Sequence, residues 1–306
     1  MPDSVAQHLD QAIKGIGYVV IEVGDAAAAE RFYAELLGFK PAGRDRWPGA
    51  GRSAALAAPS GQHLVLAESH PRNDPRLAAA HQAYRIDPAA RARIEAARQA
   101  ELHDYREDRP SEAADRVYLD DPWGNRIQLV AGADRPAGID HVAIETNNIL
   151  WAREFYGTQL GLPIEHRVGW KTLDYLNAKS RGEAAMAEAM PGSRYWNERY
   201  SKFETERRML RPNVQLYFSV GDGTSLAVYL ATRLYQAPLD SAATGTPLLG
   251  LMVDAARLAD LAAALQGSGL TLAGPIAQEA GLPLAASLHV RDPGGNFLAF
   301  SAVRPA

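Results

Sequence analysis

The sequence predicts an α+β protein of four strand–helix–strand–strand–strand modules, arranged as two related halves. Three observations lead there. An opening segment recurs once, a turn motif recurs once, and strand-period and helix-period apolar patterns alternate between them. GIGYVVIEVGDAAAAERFYAELLGF, from Gly15, aligns without gaps on GIDHVAIETNNILWAREFYGTQLGL, from Gly138, at an offset of 123 residues. Ile16/Ile139, Val19/Val142, Glu22/Glu145, Tyr33/Tyr156 and Gly38/Gly161 are among the identities. YLDDPWGNRIQLV, from Tyr118, likewise matches HVRDPGGNFLAFS, from His289.

The elements follow in order. Residues 15–23 read as a strand, and Ala29, Phe32, Tyr33, Leu36 and Leu37 then recur at helical spacing until Gly38 stops the helix. Strands are expected around 52–58 and 62–67. The second module begins near His81, and Asp87 followed by Pro88 opens its helix. The D-P-x-G-N turn closes it as a hairpin, because Pro presets φ and Gly and Asn tolerate left-handed backbone. A third module begins at Gly138. A fourth begins at PLLGLMVD, continues into a helix with Leu258, Leu261 and Leu265 on one face, and ends at DPGGN.

These patterns divide the chain into an N-terminal domain, 1–132 (modules about 14–68 and 77–131), and a C-terminal domain, 137–306 (modules about 137–231 and 246–304). AGADRPA is the link between them. Residues 171–212 have no counterpart in the other modules. Trp196, Tyr200, Phe203 and Leu210 fall roughly on one helical face there, so this insertion is a candidate lid.

Composition narrows the function. Of 306 residues, 47% are hydrophobic and 22% charged, with a net charge of −4 and no basic run. Nucleic acid and anionic membrane are therefore not expected partners. No apolar stretch approaches the ~20 residues of a bilayer span, and the N-terminus lacks a signal-peptide pattern, so a cytoplasmic location is expected. Without cysteine, thiolate catalysis and Cys-ligated zinc are excluded. GDGTS, at 221–225, lacks the lysine of a P-loop and reads as a hairpin turn; neither a G-x-S-x-G elbow nor a Rossmann fingerprint occurs.

The duplicated opening segment and the D-P-x-G-N turns resemble the vicinal oxygen chelate superfamily. It includes glyoxalases, antibiotic-resistance proteins and type I extradiol dioxygenases, and the four-module length looks most like the dioxygenases. The resemblance implies curved mixed sheets that form cups. It also implies metal ligands at the first and last strands of a module. At the first-strand place the four modules carry Tyr18, His81, His141 and Gly250. At the last-strand place they carry Val65, Gln128, Ala227 and Ala299.

The extradiol pattern would put the metal at His141, Gly250 and Ala299, and only the first of these can bind one. The standard triad is thus degenerate and no cofactor is expected in it. For an Fe, Mn or Zn ion the candidate donors are His141, His289, His81, Gln128 and Tyr18. His289 holds the place of a substrate-contacting tyrosine in the extradiol pattern, so the resemblance implies that His141 and His289 face one cup. As an imidazole pair they would supply acid–base catalysis. Tyr195, Trp196, Tyr200 and Phe203, with Gly250 and Ala299, would line or cover that cup.

Glu145 shares the strand parity of His141, but Glu22 repeats it in the first half, which favours an architectural role. His63, His103 and His166 read as surface or structural. The expected function is therefore a small-molecule enzyme doing non-oxidative acid–base chemistry (isomerisation, cyclisation, elimination or hydrolysis) on an aromatic or polyketide-like substrate. The alternatives are a small-molecule sequestering protein and a ring-cleaving or other metal enzyme with atypical ligands. A homodimer is one arrangement the family suggests.

Overall fold

The computed structural model describes residues 12–44, 47, 50–69, 80–97, 116–132, 134–146, 148–168, 215–230, 248–267, 270, 272–276 and 282–303. The insertion 171–212, and with it Tyr195, Trp196, Tyr200 and Phe203, lies outside them, as does His103. No helix among the described residues is long and apolar enough to cross a membrane.

The first module is β1 (Ile13–Val23), α1 (Ala26–Leu37), β2 (Lys40–Gly43), β3 (Ser53–Ala57) and β4 (His63–Glu68). The second is β5 (His81–Ile86), α2 (Pro88–Ala97), β6 (Arg116–Asp120) and β7 (Arg126–Ala131). The third is β8 (Gly138–Thr146), α3 (Ile149–Ala152, continuing π-helically over Arg153–Gln159), β9 (Ile164–Val168), β10 (Gln215–Ser219) and β11 (Ser225–Leu230). The fourth is β12 (Leu248–Val253), α4 (Leu258–Gly267), β13 (Leu272–Ile276), β14 (Leu284–Arg291) and β15 (Phe297–Val303). Local chemistry sets both ends of α1, and the Gly38 stop is the one the sequence implies. The Asp25 side chain caps α1 by accepting from Ala28 N, and Gly38 ends it at φ 71.

Among the described residues the strands form two mixed sheets. One has eight strands in the order β13-β14-β15-β12-β1-β4-β3-β2; the other has seven, β6-β7-β5-β8-β11-β10-β9. Modules one and four therefore share a sheet, and modules two and three share the other. This corrects the expected pairing of neighbouring modules, half by half. The physical reason is edge pairing: β1 meets β12 antiparallel, and β5 meets β8 antiparallel, so each sheet is closed by modules from opposite halves.

Each half is held together across the sheets instead. Tyr33 of α1 donates to Asp121 Oδ2 at 2.8 Å, and Asn125 Nδ2 of the D-P-x-G-N turn donates to Glu22 O at 2.9 Å. The second half repeats this with Tyr156 to Asp292 Oδ2 at 2.7 Å and Asn296 Nδ2 to Glu145 O at 2.9 Å. Burial raises both carboxyls above the usual range, against the hydrogen bonds from Asn and Tyr that favour the ionised form.

One large apolar core fills the space behind both sheets, with Ile16, Val19, Tyr33, Tyr84, Ile139, Val142, Tyr156 and Phe300 among its members. The opposite faces are the cups. In the first, Tyr18, Val20, Trp47, Ala55, Val65, Leu284 and Ala299 pack on one another. In the second, among the described residues, Ala143, Ala227 and Tyr229 form a small buried apolar cluster beside the buried polar side chains of His81, Gln128 and His141.

Candidate functional site

The polar side chains of the second cup converge on one point. His81 opens β5 and is 3% exposed, His141 on β8 is 6% exposed and Gln128 on β7 is fully buried. Register explains the meeting. Ala83 pairs with His141 across the antiparallel β5–β8 seam and with Gln128 across the parallel β5–β7 seam. Its methyl group is small, so the flanking side chains close over it. His81 Nε2 lies 3.2 Å from His141 Nε2 and 3.0 Å from Gln128 Oε1.

Asp140 sets the state of this cluster. Its Oδ2 is 3.0 Å from His141 Nδ1, and its Oδ1 accepts from Arg85 Nη2 at 3.2 Å. Burial raises the Asp140 pKa, but the hydrogen bond and charge of His141, with Arg85, outweigh it and bring the carboxyl down to about 2. An ionised Asp140 can only accept, so His141 Nδ1 carries the hydrogen, and the tautomer this selects presents the Nε2 lone pair to the cup. Gln128 Oε1 is also an acceptor. His81 Nε2 is therefore the donor that satisfies both. Gln128 Nε2 finds no hydrogen-bond partner among the described residues. A buried orphan amide costs about 1–3 kcal/mol, which a ligand oxygen in the cup would recover.

Aromatic groups wall the cluster. The His81 ring stands edge-on to Tyr118 and Tyr229, with centroids 5.4 and 5.9 Å away, and His141 is 6.1 Å from Tyr217. Tyr217 donates to Gln215 Oε1 at 3.0 Å, so its oxygen accepts from Tyr229, also at 3.0 Å. His166, which the sequence suggests is peripheral, extends this wall with its ring 5.7 Å from Tyr217. His63 lies apart on β4 in the other sheet, its pKa lowered by burial.

His289 does not join His141. It lies on β14 in the eight-stranded sheet, stacked on Trp47 at 6.5 Å and 12°, with Nε2 3.3 Å from Ser287 Oγ. The expectation of one shared cup fails because it assumes that β8 and β12 lie in one sheet. Gly250 and Ala299 pair with each other beside His289, and Tyr18 shares a 2.9 Å hydrogen bond with Ser301. Register also corrects one assignment. Ala299 faces Gly250 as Gln128 faces Ala83, so Gly250 is the counterpart of Ala83, and Leu248 is the counterpart of His81. Ala227 faces Ala143 in the same way, which fixes it as the last-strand position of module three.

Asp140, Arg85, Gln215, Tyr217 and Tyr229 are site residues that sequence reasoning missed. For Asp140 a signal was available: the ungapped repeat sets it against Gly17.

Among the described residues no group of three or more His, Cys, Asp or Glu side chains is placed to hold one metal ion; beside His81 and His141 the further donor within reach is the Gln128 amide oxygen. The set still suits a divalent transition ion. Separations of 3.0–3.2 Å are those of neighbouring donors held at ~2.1 Å around one centre. The carboxylate behind His141 is the outer partner such an imidazole commonly has.

Comparison with known proteins agrees with the fold. Residues 15–129 match the Glyoxalase/Bleomycin resistance protein/Dioxygenase superfamily model. No curated protein sequence matches the chain. Among solved structures, a Bacillus subtilis protein carried under a provisional dioxygenase name superposes with a TM-score of 0.60 at 14% identity, covering 96% of this chain and 87% of that one. Glyoxalase I from Zea mays gives 0.56 at 15% identity, over 96% and 94%. A point variant of the maize enzyme gives 0.58 at 16%, over 97% and 96%. At these identities the likeness concerns the fold.

Proposed function

We propose that this chain, whose residues 15–129 match the Glyoxalase/Bleomycin resistance protein/Dioxygenase superfamily model, is a small-molecule enzyme that shifts a proton rather than inserting oxygen. Its centre is His81, Gln128 and His141 in the second cup. The observation that carries this reading is that His141 Nε2 and Gln128 Oε1 both lie within 3.2 Å of His81 Nε2, with the Asp140 carboxylate held against His141 Nδ1 behind them.

His81 Nε2, His141 Nε2 and Gln128 Oε1 would hold a divalent ion such as Zn, Mn or Fe. When bound, that ion supplies Lewis-acid polarisation of a substrate oxygen. The three donors are uncharged, which differs from the two-histidine, one-carboxylate set associated with oxygen activation and favours non-oxidative chemistry. Around them, Gln128 Nε2 offers a hydrogen bond to a substrate oxygen. The Tyr229–Tyr217–Gln215 chain fixes both hydroxyl groups in the wall. The rings of Tyr118, Tyr217, Tyr229 and His166 suit a flat, aromatic or polyketide-like substrate.

A second reading is carried by the same 3.2 Å contact, which a single hydrogen between the two Nε2 atoms already satisfies. In it no metal is needed: His141 Nε2 takes the substrate proton, and His81 returns one from Nε2.

The test is to screen purified protein for turnover of aromatic and polyketide-like compounds while recording metal content and oxygen uptake. Turnover without oxygen consumption, lost in both His81→Ala and His141→Ala, supports the proposal. Oxygen consumption coupled to turnover overturns it. Activity that survives chelation selects the metal-free reading, and tight binding without turnover points to sequestration.

A further inference from the structure

The Asp140 carboxylate should not be able to reach His141. Neighbouring residues on a strand point to opposite faces. The pairing shows how the rule is broken. His141 pairs with Ala83 and Ile139 with Tyr84, so two steps on β8 oppose one step on β5 and Asp140 is the inserted residue of a β-bulge. The burial pattern agrees: Ile139 lies in the core behind the sheets, whereas His141, two residues on, faces the cup.

The duplicated strand carries the same bulge. Ile16 pairs with Leu251 and Tyr18 with Gly250, which leaves Gly17 as the inserted residue. Gly17 and Asp140 are thus the same position in the two halves. Their neighbours differ to match. Beside Gly17 stands Met252, with which any Cβ at that position would collide. In the place of Met252 the second cup has Arg85, which is buried, donates to Asp140 Oδ1 at 3.2 Å and is tied to Pro136 O at 3.1 Å. One backbone device therefore holds a Gly/Met pair beside a cup without a histidine at its first strand. It holds an Asp/Arg pair beside the cup that has one.

We propose that Asp140, aimed by this bulge and anchored by Arg85, is the positioning residue of the centre: it locks His141 in the tautomer that presents Nε2 to the ligand. The inference rests on the reading of His141 as a functional group, but its test does not need turnover.

The experiment uses the full-length chain labelled with 15N-histidine. Two-bond 1H–15N correlations assign the His141 tautomer in the wild type, in Asp140→Gly and in the double variant Asp140→Gly/Arg85→Met. The double variant leaves no buried Arg85 charge unpaired and copies a pair the other cup already tolerates, so it keeps the test open if the single variant does not fold. The expected result is a protonated Nδ1 in the wild type and loss of that preference in the variants. Co2+ binding should weaken in parallel by roughly 10–100-fold. An unchanged His141 tautomer in the folded variants overturns the proposal. A changed tautomer in a protein that binds no Co2+ supports the positioning role while removing the metal reading of the site.

Discussion

The two cups descend from one repeated unit and have come to opposite ends. In the first, equivalent positions carry Tyr18, Leu248, Val65 and Ala299, and the space is closed by Trp47, Val20, Ala55 and Leu284 packed together. In the second they carry His141, His81, Ala227 and Gln128, ringed by Tyr118, Tyr217 and Tyr229. Backbone register is shared even to the bulge. The difference shows that the framework tolerates either filling, so stability and chemistry can be assigned to different cups.

That division can be broken by mutation, and the largest effect is expected in the second cup. His141→Ala should lower turnover by about 10²–10⁴-fold, the usual range for losing an acid–base or metal-holding imidazole. Thermal unfolding should show no comparable loss of the fold. Gln128→Glu should sharpen the contrast by adding the charge the donor set lacks, and is expected to tighten Co2+ binding by about tenfold in a calorimetric titration.

In the first cup the effects should appear in stability. Gly250→Ala drives a methyl group into the Tyr18 ring. It is expected to cost about 1–3 kcal/mol by denaturant unfolding, with Co2+ affinity unchanged. Tyr156→Phe deprives buried Asp292 of one of its hydrogen-bond donors and should cost about 1–2 kcal/mol, again without changing metal binding. The smallest effect is expected for His289→Ala, with turnover within about twofold of wild type. A large loss there would return His289 to the chemistry and erase the distinction between the cups.

Much of the fold was legible because it rests on local signals. Gly38 stops the first helix, Asp87 and Pro88 open the second, the Pro, Gly and Asn of each turn set its hairpin, and the ungapped repeat announces two related halves. What the sequence withheld is which modules share a sheet, since that depends on which strand edges meet and leaves no periodic trace. The site was read accordingly. His81, Gln128 and His141 were each picked out at family ligand positions, but half-by-half pairing separated them and joined His141 to His289 instead. Asp140 was hidden for another reason: strand parity points it away from His141, and only the bulge returns it.

The most direct test of the second cup as the functional centre is a Co2+ titration followed by absorption spectroscopy on wild type, His81→Ala, His141→Ala and His289→Ala proteins. One site per chain is expected in the wild type and in His289→Ala, and it should be lost in each of the other two variants. Undiminished binding in His81→Ala and His141→Ala, or loss of the site in His289→Ala, would contradict the account.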